Sequence, residues 1–398
     1  MENIQATFDH LIRENQMGEG KKDALRVKCD VFSITAVSLV LLVLNFGCIS
    51  NRSNLWILSG QSNACGRGPL PGPKAIDEVR MFDPCEGKFV TAGDPLPGMN
   101  TRGVSAWVTA AQAVARKGHK IDMLGYALGA QPISHWAPGS EGERKLFSRI
   151  EEAGKGAGVL LWYQGESDTK SPEDAAAYQD RLTDLVARVR KAAENPHMTV
   201  VIIQLCAKTR PGQAKRPAYF MSVREAQRRF VLADGNALLV TALGGLQKED
   251  GHLATPGYME LGEELARALL RHRFNQRDIN WPGPVLDAAV LAPGSRKITA
   301  HFAEVKELSQ VTESDFVVVD AEGSAVCSAA RAGATTLELT FDRQITLPAR
   351  FFYAYADSPA ATLVDEAGNR APAVQIDVTT GPPPADEFSN APNGAGPS

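Results

Sequence analysis

A serine hydroxyl attacks a carbonyl only when it is exposed and a base stands ready to take its proton. Ser62 sits in the turn-prone sequence Ser59-Gly60-Gln61-Ser62-Asn63, directly after an apolar run at 54–58 that reads as a buried strand. Open α/β sheets place reactive groups just past the C-terminal ends of their strands. A helix starting at Ser62 would also present free N–H groups to an oxyanion; the same serine equally suits a plain helix cap. A base is at hand in Glu249-Asp250-Gly251-His252-Leu253, between an apolar strand and the last helical stretch of this region. In a tight turn Asp250 could hold the imidazole Nδ1–H while Nε2 faces Ser62. The alternative is a solvated surface loop. His135, next to Trp136, is the nearest competitor among the other histidines.

A third constellation is Trp162-Tyr163-Gln164-Gly165-Glu166-Ser167-Asp168, where an apolar strand ends abruptly in polar groups. Gln164 could donate its amide to an oxyanion, and Glu166 could orient neighbouring side chains or a sugar; a loop with a helix cap is the simpler reading. Gly103, preceded by Arg102, could offer an N–H unobstructed by a Cβ, or merely permit a sharp turn. Arg67, Arg102 and Arg224 could each recognise a carboxylate.

These residues need a scaffold. Apolar strand patterns at 54–58, 121–128, 158–163, 199–205 and 237–242 alternate with helical ones at 104–117, 145–152, 171–191, 219–232 and 255–272. Short, wholly apolar strands between helices predict a mostly parallel sheet covered on both faces. Residues 67–100, rich in Gly and Pro, show neither period and read as a long surface excursion beside the nucleophile. After Trp281-Pro282-Gly283-Pro284 the pattern turns to short β segments with Gly- or Asn-containing turns, which predicts a β-sandwich over 284–380. The Pro/Gly/Asn-rich stretch 381–398 reads as a disordered tail.

The net charge of −4 gives no reason to expect a nucleic-acid partner. Six cysteines, at 29, 48, 65, 85, 206 and 327, form no CxxC pair and no zinc-type cluster. Cys65 and Cys85 flank one loop and could pair in an exported protein; buried free thiols are the alternative. Residues 1–50 comprise a polar segment with Lys21, Lys22, Arg26 and Lys28, followed by an uncharged apolar run at 31–49. That order predicts an export signal, or an anchor giving membrane association, and hence an exported protein.

Taken together, the three blocks resemble the SGNH hydrolases, in the branch of sialate O-acetylesterases and family 6 carbohydrate esterases. Gly60-Gln61-Ser62-Asn63 looks like the nucleophile block, and Gly103 ahead of Val104-Ser105 like the oxyanion glycine. Trp162-Tyr163-Gln164-Gly165-Glu166-Ser167 is similar to the third block, and Asp250 with His252 to the last. Val223-Arg224-Glu225-Ala226-Gln227 also resembles a helix segment of this branch. Two positions depart from the pattern: Ala64 stands where methionine is frequent, and the Asp-to-His spacing is one residue short. The resemblance implies a three-layer α/β/α, flavodoxin-like domain over 51–278. It implies a Ser62–His252–Asp250 triad, an oxyanion hole from Ser62, Gly103 and Gln164, and support from Gln61, Asn63, Glu166 and Arg102. It further implies an acetylated carbohydrate as substrate, no cofactor or metal, and an accessory C-terminal β domain like those of bacterial members. An acetylated polysaccharide such as acetylxylan is the alternative substrate, and a non-catalytic sugar-binding protein the alternative class.

Overall fold

The computed structural model describes residues 54–100, 103–207, 217–356 and 358–381. The apolar run at 31–49, Arg102 and the tail beyond residue 381 lie outside the described residues.

Seven strands form the first sheet: β1 (Leu55–Gly60), β2 (Val79–Asp83), β3 (Lys88–Thr91), β4 (Ile121–Ala127), β5 (Val159–Tyr163), β6 (Thr199–Gln204) and β7 (Ala237–Thr241). Their spatial order is β3-β2-β4-β1-β5-β6-β7, all parallel except the edge strand β3. Every side chain of β5 and β6 is buried, as expected for strands covered on both faces. The helices are α1 (Ser62–Cys65), α2 (Ala106–Ala115), α3 (Glu141–Arg149), α4 (Pro172–Ala192), α5 (Pro217–Ala233) and α6 (Thr255–His272). Helix α2 packs on α6 and α4 on α5. The start of α4 follows its sequence signal: Ser171 accepts a bond from Asp174 N–H, and Pro172 occupies the first turn.

From β1 the chain moves to one side of the sheet for β2 and β4, then crosses β1 to build β5, β6 and β7 on the other. Sheets of this type place ligands at such a reversal, beyond the C-terminal end of the strand, here β1. Ser62 lies at that point.

Two expectations need correction. The excursion at 67–100 contains the β2–β3 hairpin; these strands are short, lie at the sheet edge and expose part of their side chains, so they lack a continuous apolar run. The C-terminal region is a closed seven-stranded barrel and not a two-sheet sandwich. Its strands are β8 (Val285–Leu291), β9 (Lys297–Ala303), β10 (Phe316–Asp320), β11 (Gly323–Ala332), β12 (Thr336–Phe341), β13 (Arg350–Tyr353) and β14 (Val374–Thr379). The last strand pairs in parallel with the first, and β13 pairs with β10, which closes the ring around Phe316, Phe341, Phe351 and Tyr353. Cys65 and Cys85 are both free.

The barrel is bonded to the C-terminal edge of the parallel sheet. Gln204 accepts from Ala373 N–H at 2.8 Å and donates to Ala373 O at 2.9 Å, both buried. Arg370 pairs with Glu260 of α6 at 2.7 Å.

Candidate active site

At Gly60 the backbone adopts φ +139°, and a Cβ there would lie 2.1 Å from Tyr163 O, so only glycine lets β1 turn this closely past β5. The turn delivers Ser62 to the first position of the one-turn helix α1, half-exposed. Trp107 Nε1 of α2 donates to Ala64 O at 2.6 Å and fixes the far end of that turn.

His252 arrives from the loop between β7 and α6, with Nε2 2.9 Å from Ser62 Oγ. Its Nδ1 stands 3.2 Å from Asp250 Oδ2, close enough for a charge contact but outside the alignment of a hydrogen bond. Asp250 is partly exposed and also accepts from His252 N–H at 3.1 Å and from Lys248 Nζ at 3.1 Å. Against a burial that pulls the other way, those bonds hold its carboxyl down at about 2. It is therefore an anion wherever the imidazole can titrate. Asp250 stabilises a charged imidazole without gripping one ring nitrogen.

Burial lowers the proton affinity of His252, and Asp250 offsets this only in part; the cations Lys248 and Arg67 lower it further. A base must be neutral to act. Ester hydrolysis is thus expected to stay level down to the ordinary imidazole value of 6.5 and to fall only below it. A kcat/KM profile on an aryl acetate checks this; an acid limb centred above 6.5 contradicts it.

The two neighbours of Ser62 hold the site together. Gln61 Oε1 accepts from Ser167 N–H at 3.1 Å and Gly165 N–H at 3.4 Å, locking the Ser62 turn to the loop after β5. Asn63 Nδ2 donates to Glu166 Oε1 at 2.7 Å, while its Oδ1 accepts from Tyr258 O–H at 2.8 Å and Leu253 N–H at 3.4 Å. One asparagine therefore ties the serine turn, the β5 loop, the histidine loop and α6. Burial pushes Glu166 up to about 7, with the Asn63 bond opposing. Burial likewise pushes the thiols of Cys65 and Cys206 up to about 12 and about 11, leaving neither as a nucleophile at neutral pH.

Gln164 departs from expectation. It is fully buried, and its Nε2 faces Asp168 Oδ2 at 2.6 Å, Gln131 O at 3.0 Å and Gln61 Oε1 at 3.2 Å. Two protons meet three protein acceptors, so this amide is a fastener and not an oxyanion donor. Asp168, which also accepts from Ile133 N–H at 3.0 Å, is the partner that captures it. Gly103 has a packing reason: a Cβ would lie 2.1 Å from Gly68 O, where the two segments bridge. His135 is engaged elsewhere, 3.2 Å from Tyr126 Oη. Sequence reasoning missed Gly129, where a Cβ would lie 3.6 Å from Ser62 Cβ. Its one signal is its place just after β4, at the same rim. Also missed was Tyr258, hidden as an apolar-face residue of α6.

A family model described as carbohydrate esterase, sialic acid-specific acetylesterase, matches residues 52–271. The Arabidopsis thaliana protein named "Probable carbohydrate esterase" is 29% identical over 245 residues, covering 55% of this chain and 90% of that protein. An X-ray structure of an Arabidopsis thaliana protein matches at 27% identity with a TM-score of 0.48, over 55% of this chain and 98% of that one. The crystal structure of a carbohydrate acetylesterase from Xanthomonas citri covers 81% of this chain and 80% of that one, with a TM-score of 0.64. At 16% identity, that last likeness is one of fold. With more than half of its length matched by the family model, around a serine and histidine in contact, the chain belongs to the sialic acid-specific acetylesterase family of carbohydrate esterases.

Proposed function

We propose that the protein is a serine esterase that removes O-acetyl groups from a sugar of the sialate type, through an acetyl-enzyme on Ser62. The observation that carries this reading is the 2.9 Å contact between His252 Nε2 and Ser62 Oγ beyond the C-terminal end of β1. In the first half-reaction His252 takes the Ser62 proton as Oγ bonds to the acetyl carbon. Collapse of the tetrahedral adduct breaks the bond to the sugar oxygen, which leaves with the proton from His252. Water, deprotonated by His252, then attacks the acetyl-enzyme; its collapse frees acetate and returns the proton to Ser62. Asp250 favours the charged imidazole in both halves. With Gln164 engaged by Asp168, the oxyanion falls to the backbone N–H of Ser62, a donor worth about 2.7–4 kcal/mol in the transition state. The apolar run at 31–49, outside the described residues, supports an exported protein.

The test is acetate release from an O-acetylated sialic acid, acetylated xylan and an aryl acetate, before and after treatment with a fluorophosphonate. We expect turnover of the sialate, one label per chain on Ser62, and no turnover afterwards. Preference for xylan would move the substrate to neutral polysaccharides. A folded protein that neither labels nor releases acetate would be a sugar-binding module.

A further inference from the structure

Of the three arginines that the sequence offers for a carboxylate, the structure singles out one. Arg224 is fully buried and donates to the carbonyls of Leu205, Cys206 and Ala356. Arg102 lies outside the described residues. Arg67 is half-buried, and among the described residues no hydrogen bond or ion pair reaches its guanidinium. Asp250 pairs with His252 and Lys248, while Glu166 and Asp94 each hold one neighbour, Asn63 and Ser105, through one carboxylate oxygen.

Its position is close to the chemistry. A Cβ built on Gly129 would lie 3.0 Å from Arg67 Nη2 and 3.6 Å from Ser62 Cβ, so the guanidinium and the Ser62 side chain border the same glycine. The cation also lowers the proton affinity of His252, which places its field on the reacting pair. A guanidinium partly withdrawn from water and left without a protein acceptor keeps five donors for a ligand, in a planar fork matched to a carboxylate.

We propose that Arg67 is a specificity-determining residue that pairs with a carboxylate carried by the acetylated sugar, so that acidic sugars are favoured over neutral ones. This rests on the esterase reading of Ser62 and His252. The carboxylates of a sialic acid and of a uronic acid share the required chemistry, and the aryl acetate, which has none, gains nothing from it.

The experiment compares kcat/KM of the whole protein on O-acetylated N-acetylneuraminic acid and on an O-acetylated glucuronic acid, each beside its carboxamide, which keeps the shape and removes the charge. The wild type should favour at least one acid over its amide by about 10- to 100-fold, the range for a hydrogen-bonded charged pair. The acid that shows the preference identifies the source. In Arg67→Met the ratio should collapse to near one, chiefly through KM, and Arg67→Lys should keep part of it. A wild-type ratio near one for both acids overturns the proposal. So does an Arg67→Met protein in which kcat falls equally on acid and amide, because the charge would then serve the reacting carbonyl. Calorimetric binding of the deacetylated acids and their amides gives the same ratio without turnover. Loss of all hydrolysis with a preserved binding ratio would therefore sink the esterase reading and leave Arg67's role standing.

Discussion

Replacing His252 by alanine is expected to lower kcat on an acetyl ester by about 10⁴- to 10⁶-fold, the cost of removing the base from a serine that works as a unit with it. The expectation follows from geometry. Nε2 is the acceptor 2.9 Å from Ser62 Oγ, and among the described residues no other base is shown in contact with that hydroxyl: His135 bonds Tyr126, and Glu166 bonds Asn63 through Oε1. Ser62→Ala should cost about as much, and the double variant little more than either, because each change disables the same proton transfer. Asp250→Ala should cost far less than either, since its carboxylate is partly exposed and not aligned for a hydrogen bond with Nδ1. Initial rates of acetate release measure all four. A His252→Ala loss under about tenfold would place the base elsewhere.

The largest expected effect on stability is at Arg224. Its guanidinium donates to Leu205 O at 3.0 Å, Cys206 O at 2.8 Å and Ala356 O at 2.7 Å, and its carbon lies 4.5 Å from the Phe220 ring centroid. Arg224→Met keeps most of the volume but strands several buried carbonyls. The cost should be about 3–5 kcal/mol, as for breaking a buried charged cluster from one side. The damage should also reach the active site, because Cys206 Sγ lies 3.8 Å from Asn63 Nδ2. Urea unfolding followed by fluorescence and by esterase activity tests this, with activity expected to fail first. A loss below about 1 kcal/mol would mean that water replaces the guanidinium.

Much of this was legible in the residues, and the gaps have physical causes. The strands β1 and β4 to β7 announce themselves because burial on both faces demands continuous apolar runs. The hairpin of β2 and β3 does not, since an edge strand needs neither. Alternation marks which side chains of the barrel point inward, yet it says nothing of whether the first and last strands meet; the parallel pairing of β8 with β14 decides that. Strand β8, with Val285 exposed and Asp287 inside the run, carries only a broken apolar signal. At the site, Ser62 and His252 stand out as chemistry-bearing types at strand ends. Gln164 occupies the same rim, but rim position does not tell which way an amide turns, and Asp168 turns it inward. The bonds of Asn63 to Glu166, Tyr258 and Leu253 join segments more than 100 residues apart, a kind of information that local pattern does not hold.

Ser62 and His252, the proposed nucleophile and base, are 190 residues apart along the chain. A ribosome adding about 5–20 residues per second needs about 10–40 s to travel from one to the other. Throughout that interval Ser62 has been made and has nothing to take its proton. The strand β7 and helix α6, which frame the histidine loop, are also the last parts of this domain to appear. On the proposed mechanism, truncated or stalled chains are chemically silent toward esters, and the onset of hydrolysis reports that the whole parallel sheet has been assembled.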